Sequence, residues 1–256
     1  MLNSFKVSPT TRRILSSIMY LLFVFIIFNF VLTLTSLFAQ LIVSVFTLAI
    51  LAMSIYYEYL RYLLEQAIKS LNYDCDPEAC LDYLNLIKKK DYFKGMNSDT
   101  TLLKALYLLA TYQNDEVLKL IEDNDKLFRG NIDQLLIRNA TIFIANVQRN
   151  NKSQAKKTFQ DVLKLKELQG KKRKNKMSQL YSWEELDALY LYISNDYKKA
   201  VKAYSHVNPQ YMNNREKSQY YYYYLQALKK SNKLDKAKEI EIKLKGVANK
   251  LAVSEM

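Results

Sequence analysis

The sequence predicts an all-α protein: an N-terminal two-helix transmembrane hairpin, then a solenoid of about five α-helical hairpins. Three observations carry this. Residues Ile14 to Tyr57 form an uncharged run of 44. The whole chain of 256 residues holds only three prolines and four glycines, and apolar residues recur at spacings of three and four. A small residue then returns at intervals of 37 to 45 along the rest of the chain.

Half of the residues are hydrophobic, yet mean hydropathy is only -0.21, so the apolar residues are unevenly placed. A helix rises about 1.5 Å per residue and a bilayer core is about 30 Å thick, so one span takes roughly 20 residues. The uncharged run is about twice that, which predicts spans over residues 14–32 and 37–57 with a turn around Thr33, Thr35 and Ser36. A core hairpin of a soluble domain would need a polar face, and these segments have none. Lys6, Arg12 and Arg13 precede the first span and predict that this end stays in the cytoplasm. Two spans return the chain to the same side. The expected organisation is therefore a cytoplasmic segment 1–13, two spans within 14–57, a cytoplasmic helical domain 58–250 and a tail 251–256.

Cys75 and Cys80 are the two cysteines, fitting a reducing compartment and lacking the spacing of a zinc pair. Net charge is +13, of which residues 1–13 carry +3 and the part after the spans +10. Residues 58–71 continue from the second span with no Gly or Pro between, which predicts one helix running from the membrane into the first repeat. Gly95, Gly130 and Gly170 fall where helices are expected to stop, and Gly246 lies near the end.

The repeating small position is Ala79, Val117, Ala155, Ala200 and Ala237. Four residues later come Tyr83, Ile121, Phe159, Tyr204 and Glu241; twelve earlier come Ala67, Ala105, Phe143, Ala188 and Leu225. The small residues fit where paired helices cross, and the large residue one turn on fills the space toward the next pair. Asn150, Asn195 and Asn232 stand five residues before three of the small positions. Asn tolerates the left-handed conformation that ends one helix and starts the next. The one long interval holds the basic run from Gly170 to Lys176, read as a surface loop.

Segments such as Asn195-Asp196-Tyr197-Lys198-Lys199-Ala200 and Asn232-Lys233-Leu234-Asp235-Lys236-Ala237 resemble the tetratricopeptide (TPR) family. The resemblance spans about 58–250 and is clearest in the last three repeats. The family's glycine between paired helices is Asn here, its proline is matched loosely by Pro209, and the repeats are longer than its typical length. The resemblance implies a TPR-like solenoid that binds protein partners.

The sequence offers no case for catalysis, a cofactor or a metal. The single histidine, His206, has no Cys or carboxylate cluster to join. Four scattered glycines cannot build a phosphate loop. Glu184-Glu185 and Asp74/Asp76 read as helix starts, where negative charge meets the positive end of the dipole.

Surfaces are the better candidates. On the first helix of each pair, one face carries Leu64, Ile68 and Leu71, then Leu102, Leu106 and Leu109, then Ala140, Ile144 and Val147. It continues with Glu185, Leu189 and Tyr192, and ends with Tyr222, Gln226 and Lys229. Such a stripe is either core or a groove that grips an apolar or amphipathic segment of a partner. Tyr220 to Tyr224, five tyrosines in a row, are expected to pack in part between the last two repeats. Lys171, Lys172, Arg173, Lys174 and Lys176 could meet anionic lipid or an acidic partner. Nucleic acid is a weak candidate because no stacking platform is visible. These features lead to a membrane-anchored, TPR-like scaffold holding a cytoplasmic protein or a membrane-protein tail at the inner face of a bacterial membrane. The alternative is a non-catalytic accessory subunit of a membrane complex, held through its spans.

Overall fold

The computed structural model describes residues 9–172 and 182–254, and these are all-helical, with no strand among them. The chain divides into two compact units, Met1–Arg61 and Tyr62–Met256.

In the first unit, α1 runs Pro9–Thr33 and α2 begins at Leu37. The break falls at the three residues between them, where Thr and Ser interrupt the apolar run. Helix α2 extends without interruption to Asn72, so the helix expected to leave the second apolar segment does continue past residue 58. It is long and apolar enough to cross a membrane. The apolar part of α1, Ser17–Thr33, is shorter. Large apolar side chains stand exposed along both helices; Leu37 is 81% and Phe46 67% accessible. Their polar groups turn to the backbone instead. Asn29 donates to the Phe25 carbonyl (2.8 Å), Thr33 to that of Phe30 (2.7 Å), Gln40 to that of Leu34 (2.7 Å) and Thr47 to that of Val43 (2.8 Å).

The second unit is a chain of helices, each packed mainly on its neighbours in sequence. These are α3 (Pro77–Lys90), α4 (Asn97–Ala110), α5 (Asn114–Asp123), the short α6 (Asp125–Phe128), α7 (Ile132–Gln148) and α8 (Lys152–Lys172). Next come α9 (Trp183–Ile193), α10 (Tyr197–His206), α11 (Asn214–Lys230) and α12 (Leu234–Ala248), with 3-10 turns at Pro209–Tyr211 and Ala252–Ser254.

Four of the connections are one structure used four times. The pairs α4–α5, α7–α8, α9–α10 and α11–α12 are each joined by three residues, the second of them with positive φ: Tyr112 (58°), Asn150 (55°), Asn195 (65°) and Asn232 (60°). In each turn the next residue donates back to the carbonyl five positions earlier. The bonds are Gln113 to Leu108 (2.9 Å), Asn151 to Asn146 (2.9 Å), Asp196 to Leu191 (3.0 Å) and Lys233 to Leu228 (3.0 Å). This left-handed closure satisfies carbonyls that a helix end would otherwise leave bare. Asn is the expected residue there, and the glycine of tighter turns is not needed. Accordingly, Asn232→Gly should leave stability within a few tenths of a kcal/mol, whereas Asn232→Val should cost about 1–2 kcal/mol through the steric penalty of a branched side chain at positive φ. A thermal melt of the two variants checks this.

Behind each turn the small residue is buried: Val117, Ala155, Ala200 and Ala237 are each at most 3% accessible. The first repeat is shifted by one from the expected register. The turn from α2 to α3 has four residues, its left-handed residue is Cys75 (φ 52°), and the buried small residue is Cys80 instead of Ala79. Leu84 takes the place expected for Tyr83, and Ile240 that of Glu241. On the leading helices Ala67, Ala105, Phe143, Ala188 and Leu225 are all buried, as expected.

One glycine expectation is corrected. Gly170 lies inside α8, which runs on to Lys172, while Gly246 lies in the last turn of α12. Of the basic run, Lys171 and Lys172 end α8, while Arg173, Lys174 and Lys176 lie outside the described residues.

The array also closes on its own start. At the head of α11, Asn214 Nδ2 donates to the Tyr73 carbonyl (2.6 Å) and Arg215 Nε to Asn72 Oδ1 (2.8 Å). After α12, Asn249 Nδ2 donates to the Asp74 carbonyl (2.6 Å) and Lys250 Nζ to Asp76 Oδ2 (2.6 Å). Beyond them Leu251 and Val253 are buried in the core.

Candidate functional site

The sequence left the apolar stripe open between core and groove, and the structure places most of it in the core. Leu64, Leu71, Leu106, Leu109, Ala140, Ile144, Val147 and Leu189 are buried in one continuous cluster. Ile68, Leu102, Tyr192 and Tyr222 remain half-buried or more open. The reason is the closed array. A helix face that an open solenoid would show to a partner is covered by the next pair and by the residues after α12.

An opening survives at the repeated turns. A cleft of about 360 Å³ is bordered by the left-handed residues Tyr112, Asn150 and Asn195. The ends of α7 and α9 supply Val147, Gln148, Tyr192 and Ile193, and the starts of α8 and α10 supply Lys152 and Tyr197. Helix α11 completes it with Tyr222, Tyr223 and Lys230. Equivalent repeat positions therefore meet there: the residue two after the left-handed one (Lys152, Tyr197), and those two and three before it. Of the face expected to bind a partner, Val147, Tyr192 and Tyr222 reach this cleft.

Rings dominate it. Tyr192 packs edge-on against Tyr197 (5.8 Å between centroids) and Tyr223 (5.6 Å), and Tyr222 against Tyr223 (5.1 Å). Such edge-to-face pairs join the negative face of one ring to the positive edge of another. Polar contacts fix the rim. Asn195 Oδ1 accepts from Lys152 Nζ (2.8 Å) and from Tyr197 Oη (2.9 Å), linking the α7–α8 pair to the next turn. Gln148 Nε2 donates to the Leu109 carbonyl at 3.2 Å, linking α7 to the end of α4. Burial pushes the Tyr192 phenol up to about 12 and raises those of Tyr112 and Tyr222, so all three stay protonated near neutral pH.

The five-tyrosine run divides as a helix must divide it. Tyr220, Tyr223 and Tyr224 are buried, Tyr221 and Tyr222 half-buried. Tyr220 and Tyr224 pack on Tyr204 of α10 at 5.8 and 5.6 Å, and Tyr220 Oη donates to the Tyr204 carbonyl (3.0 Å).

A buried polar cluster escaped the sequence reading. Glu185 and its neighbour Glu184 do sit in the first turn of α9, capped by Ser182, whose hydroxyl accepts from the Glu185 amide at 3.0 Å. Glu185 is nonetheless buried, and removal from water drives its carboxyl up to about 8, with the Glu216 carboxylate adding to the rise and Arg215 opposing it. Asp76 meets its expectation more simply: it caps α3 by accepting from the Ala79 amide at 3.2 Å. His206 is exposed in the last turn of α10, with Nδ1 2.6 Å from the Lys202 carbonyl. Among the described residues no group of His, Cys, Asp and Glu could hold a metal ion.

Comparison with protein-family models, with curated proteins and with solved structures finds no match.

Proposed function

We propose that this chain is a membrane-anchored scaffold or adaptor, built on TPR-like helical hairpins, that binds a protein partner at the cytoplasmic face of a bacterial membrane. The observation that carries the repeat reading is the four-fold recurrence of one left-handed turn with the same back-bond. Stacked hairpins of this kind offer extended surfaces made from equivalent positions. The anchor reading rests on α1 and α2. Apolar side chains this large and this exposed are a poor fit to water, and polar side chains bonded to their own helix suit a lipid solvent. Both helices are then spans, and both ends of the chain are cytoplasmic, on the strength of Lys6, Arg12 and Arg13.

The partner is a cytoplasmic protein or the tail of another membrane protein, and membrane lipid is a second contact. Capture of partners by full-length protein and by residues 58–256, compared by mass spectrometry, is the test. A scaffold keeps its partner without the first 57 residues. A partner lost together with them points to the second reading, an accessory subunit of a membrane complex held through its helices. That reading is favoured by a shallow apolar cleft in the first unit, where Tyr20 lies with Phe46, Ala49, Ile50 and Met53.

Two expected results bear on placement. Alkaline phosphatase fused after Met256 should be inactive, because the enzyme needs an oxidising exterior; activity would put the domain outside. Reversing the charge of Lys171, Lys172, Arg173, Lys174 and Lys176 should weaken binding to anionic vesicles and flatten its salt dependence, with helix content unchanged. Equal vesicle binding before and after would remove lipid as a partner of this segment.

A further inference from the structure

The cleft at the turns has the chemistry of a small-molecule site, although it shares Val147, Tyr192 and Tyr222 with the face expected to bind a partner. Its lining carries two cations, Lys152 and Lys230, and no Asp or Glu. Tyr192 and Tyr222 keep their protons near neutral pH and offer hydroxyl donors, while the Tyr197 hydroxyl is spent on Asn195. The Lys152 ammonium is held in place by Asn195 but spends only one of its three hydrogens there. The volume, about 360 Å³, falls at the lower end of the range for small-molecule pockets.

Backbone strain points to the same place. Three of the four equivalent left-handed positions hold Asn, which tolerates that conformation; the fourth is Tyr112 at φ 58°, an uncommon choice for a bulky residue. Its ring borders the cleft. A strained side chain that contributes to a pocket is how fold stability is traded for a site.

We propose that the cleft formed by Tyr112, Lys152, Tyr192, Tyr222 and Lys230 binds a small aromatic anion, a planar ring carrying a carboxylate or a phosphate. The ring extends the edge-to-face network of Tyr192, Tyr222 and Tyr223. The anionic group lies toward the two lysines and accepts from the tyrosine hydroxyls. Occupancy would tie the turns of three successive hairpins to α11, so this ligand is placed to stiffen that edge of the domain. The proposal does not depend on the scaffold reading and survives its failure.

Full-length protein in detergent is titrated with phenyl phosphate, benzoate, inorganic phosphate and cyclohexanecarboxylate, by calorimetry and by ligand-observed NMR. Saturable binding of phenyl phosphate or benzoate is expected, at least about tenfold tighter than of inorganic phosphate and cyclohexanecarboxylate. The tighter of the two aromatic probes identifies the acid group. The double variant Lys152→Met, Lys230→Met changes two exposed side chains. It should melt as the wild type does and bind at least about tenfold more weakly; Tyr222→Leu, at a half-buried position, should weaken binding likewise. Absence of saturable binding by either aromatic probe up to about 10 mM overturns the proposal. So does unchanged affinity in the lysine variant, or equal binding of the non-aromatic acid.

Discussion

Leu106→Asp is expected to unfold the helical domain. Leu106 is 5% accessible, in the continuous core of the second unit. The substitution removes a packed side chain and puts a carboxylate where no water reaches it. The two losses together should exceed about 4 kcal/mol, enough to abolish or severely lower a cooperative melt. The same change separates the two readings of the stripe. On a partner groove it would leave the melt intact and destroy capture. A Leu106→Asp protein that melts normally would show that this face is open in solution.

Glu185 makes stability rise as pH falls from about 8 toward the ordinary carboxyl range. The folded carboxyl titrates near 8 because burial disfavours its charge, and the unfolded one near 4.5. Below the unfolded value both states are protonated and nothing is lost. Between the two values the unfolded chain releases a proton that the folded chain keeps, which favours unfolding. Above about 8 the folded state carries a buried charge and the full penalty is present. From pH 6 to 8.5 this should cost about 2 kcal/mol, a fall of roughly 4–8 °C in melting temperature for a domain of this size. Glu185→Gln should remove most of that slope and be the more stable protein at pH 8.5. Glu216, whose carboxyl is also raised by burial, keeps a smaller dependence in the variant. Parallel slopes for the two proteins would mean that Glu185 is solvated.

Helices and most of their turns were legible because local chemistry specifies them. Asn150, Asn195 and Asn232 tolerate a conformation that few residues adopt, and each ends a helix as expected. Tyr112 does the same work without the signature, so that turn carried no signal of its own. The register of the first repeat slipped because its turn holds one residue more than the others, and Ala79 beside Cys80 offers two small residues with no local way to choose. Glu185 was read correctly as part of a helix start, but its burial carried no signal. An acidic residue in a first helical turn is ordinary, and only the arrival of α11, with Arg215 and Glu216, distinguishes a buried carboxyl from a solvated one. The core could be listed from spacing, but whether a face is covered depends on what packs over it. The cleft was half legible: Tyr192 and Tyr222 stood on the expected face, while Lys152 and Lys230 come from turns whose convergence no single segment reveals.

The bonds from Asn214, Arg215, Asn249 and Lys250 to residues 72–76 join segments 141 to 175 positions apart. During synthesis the first hairpin emerges long before its covering exists. Domains form as the chain grows, N-terminal parts first, yet here the polar edge at residues 72–76 waits for Asn214, Arg215, Asn249 and Lys250, made long after it. A nascent or prematurely terminated chain therefore displays that edge next to unfinished core, and such a product is a target for chaperones and proteases. The order of manufacture thus gives residues 249–253 a weight in quality control that so short a segment would not suggest, and their removal should cost more protein than most substitutions in the middle of a helix.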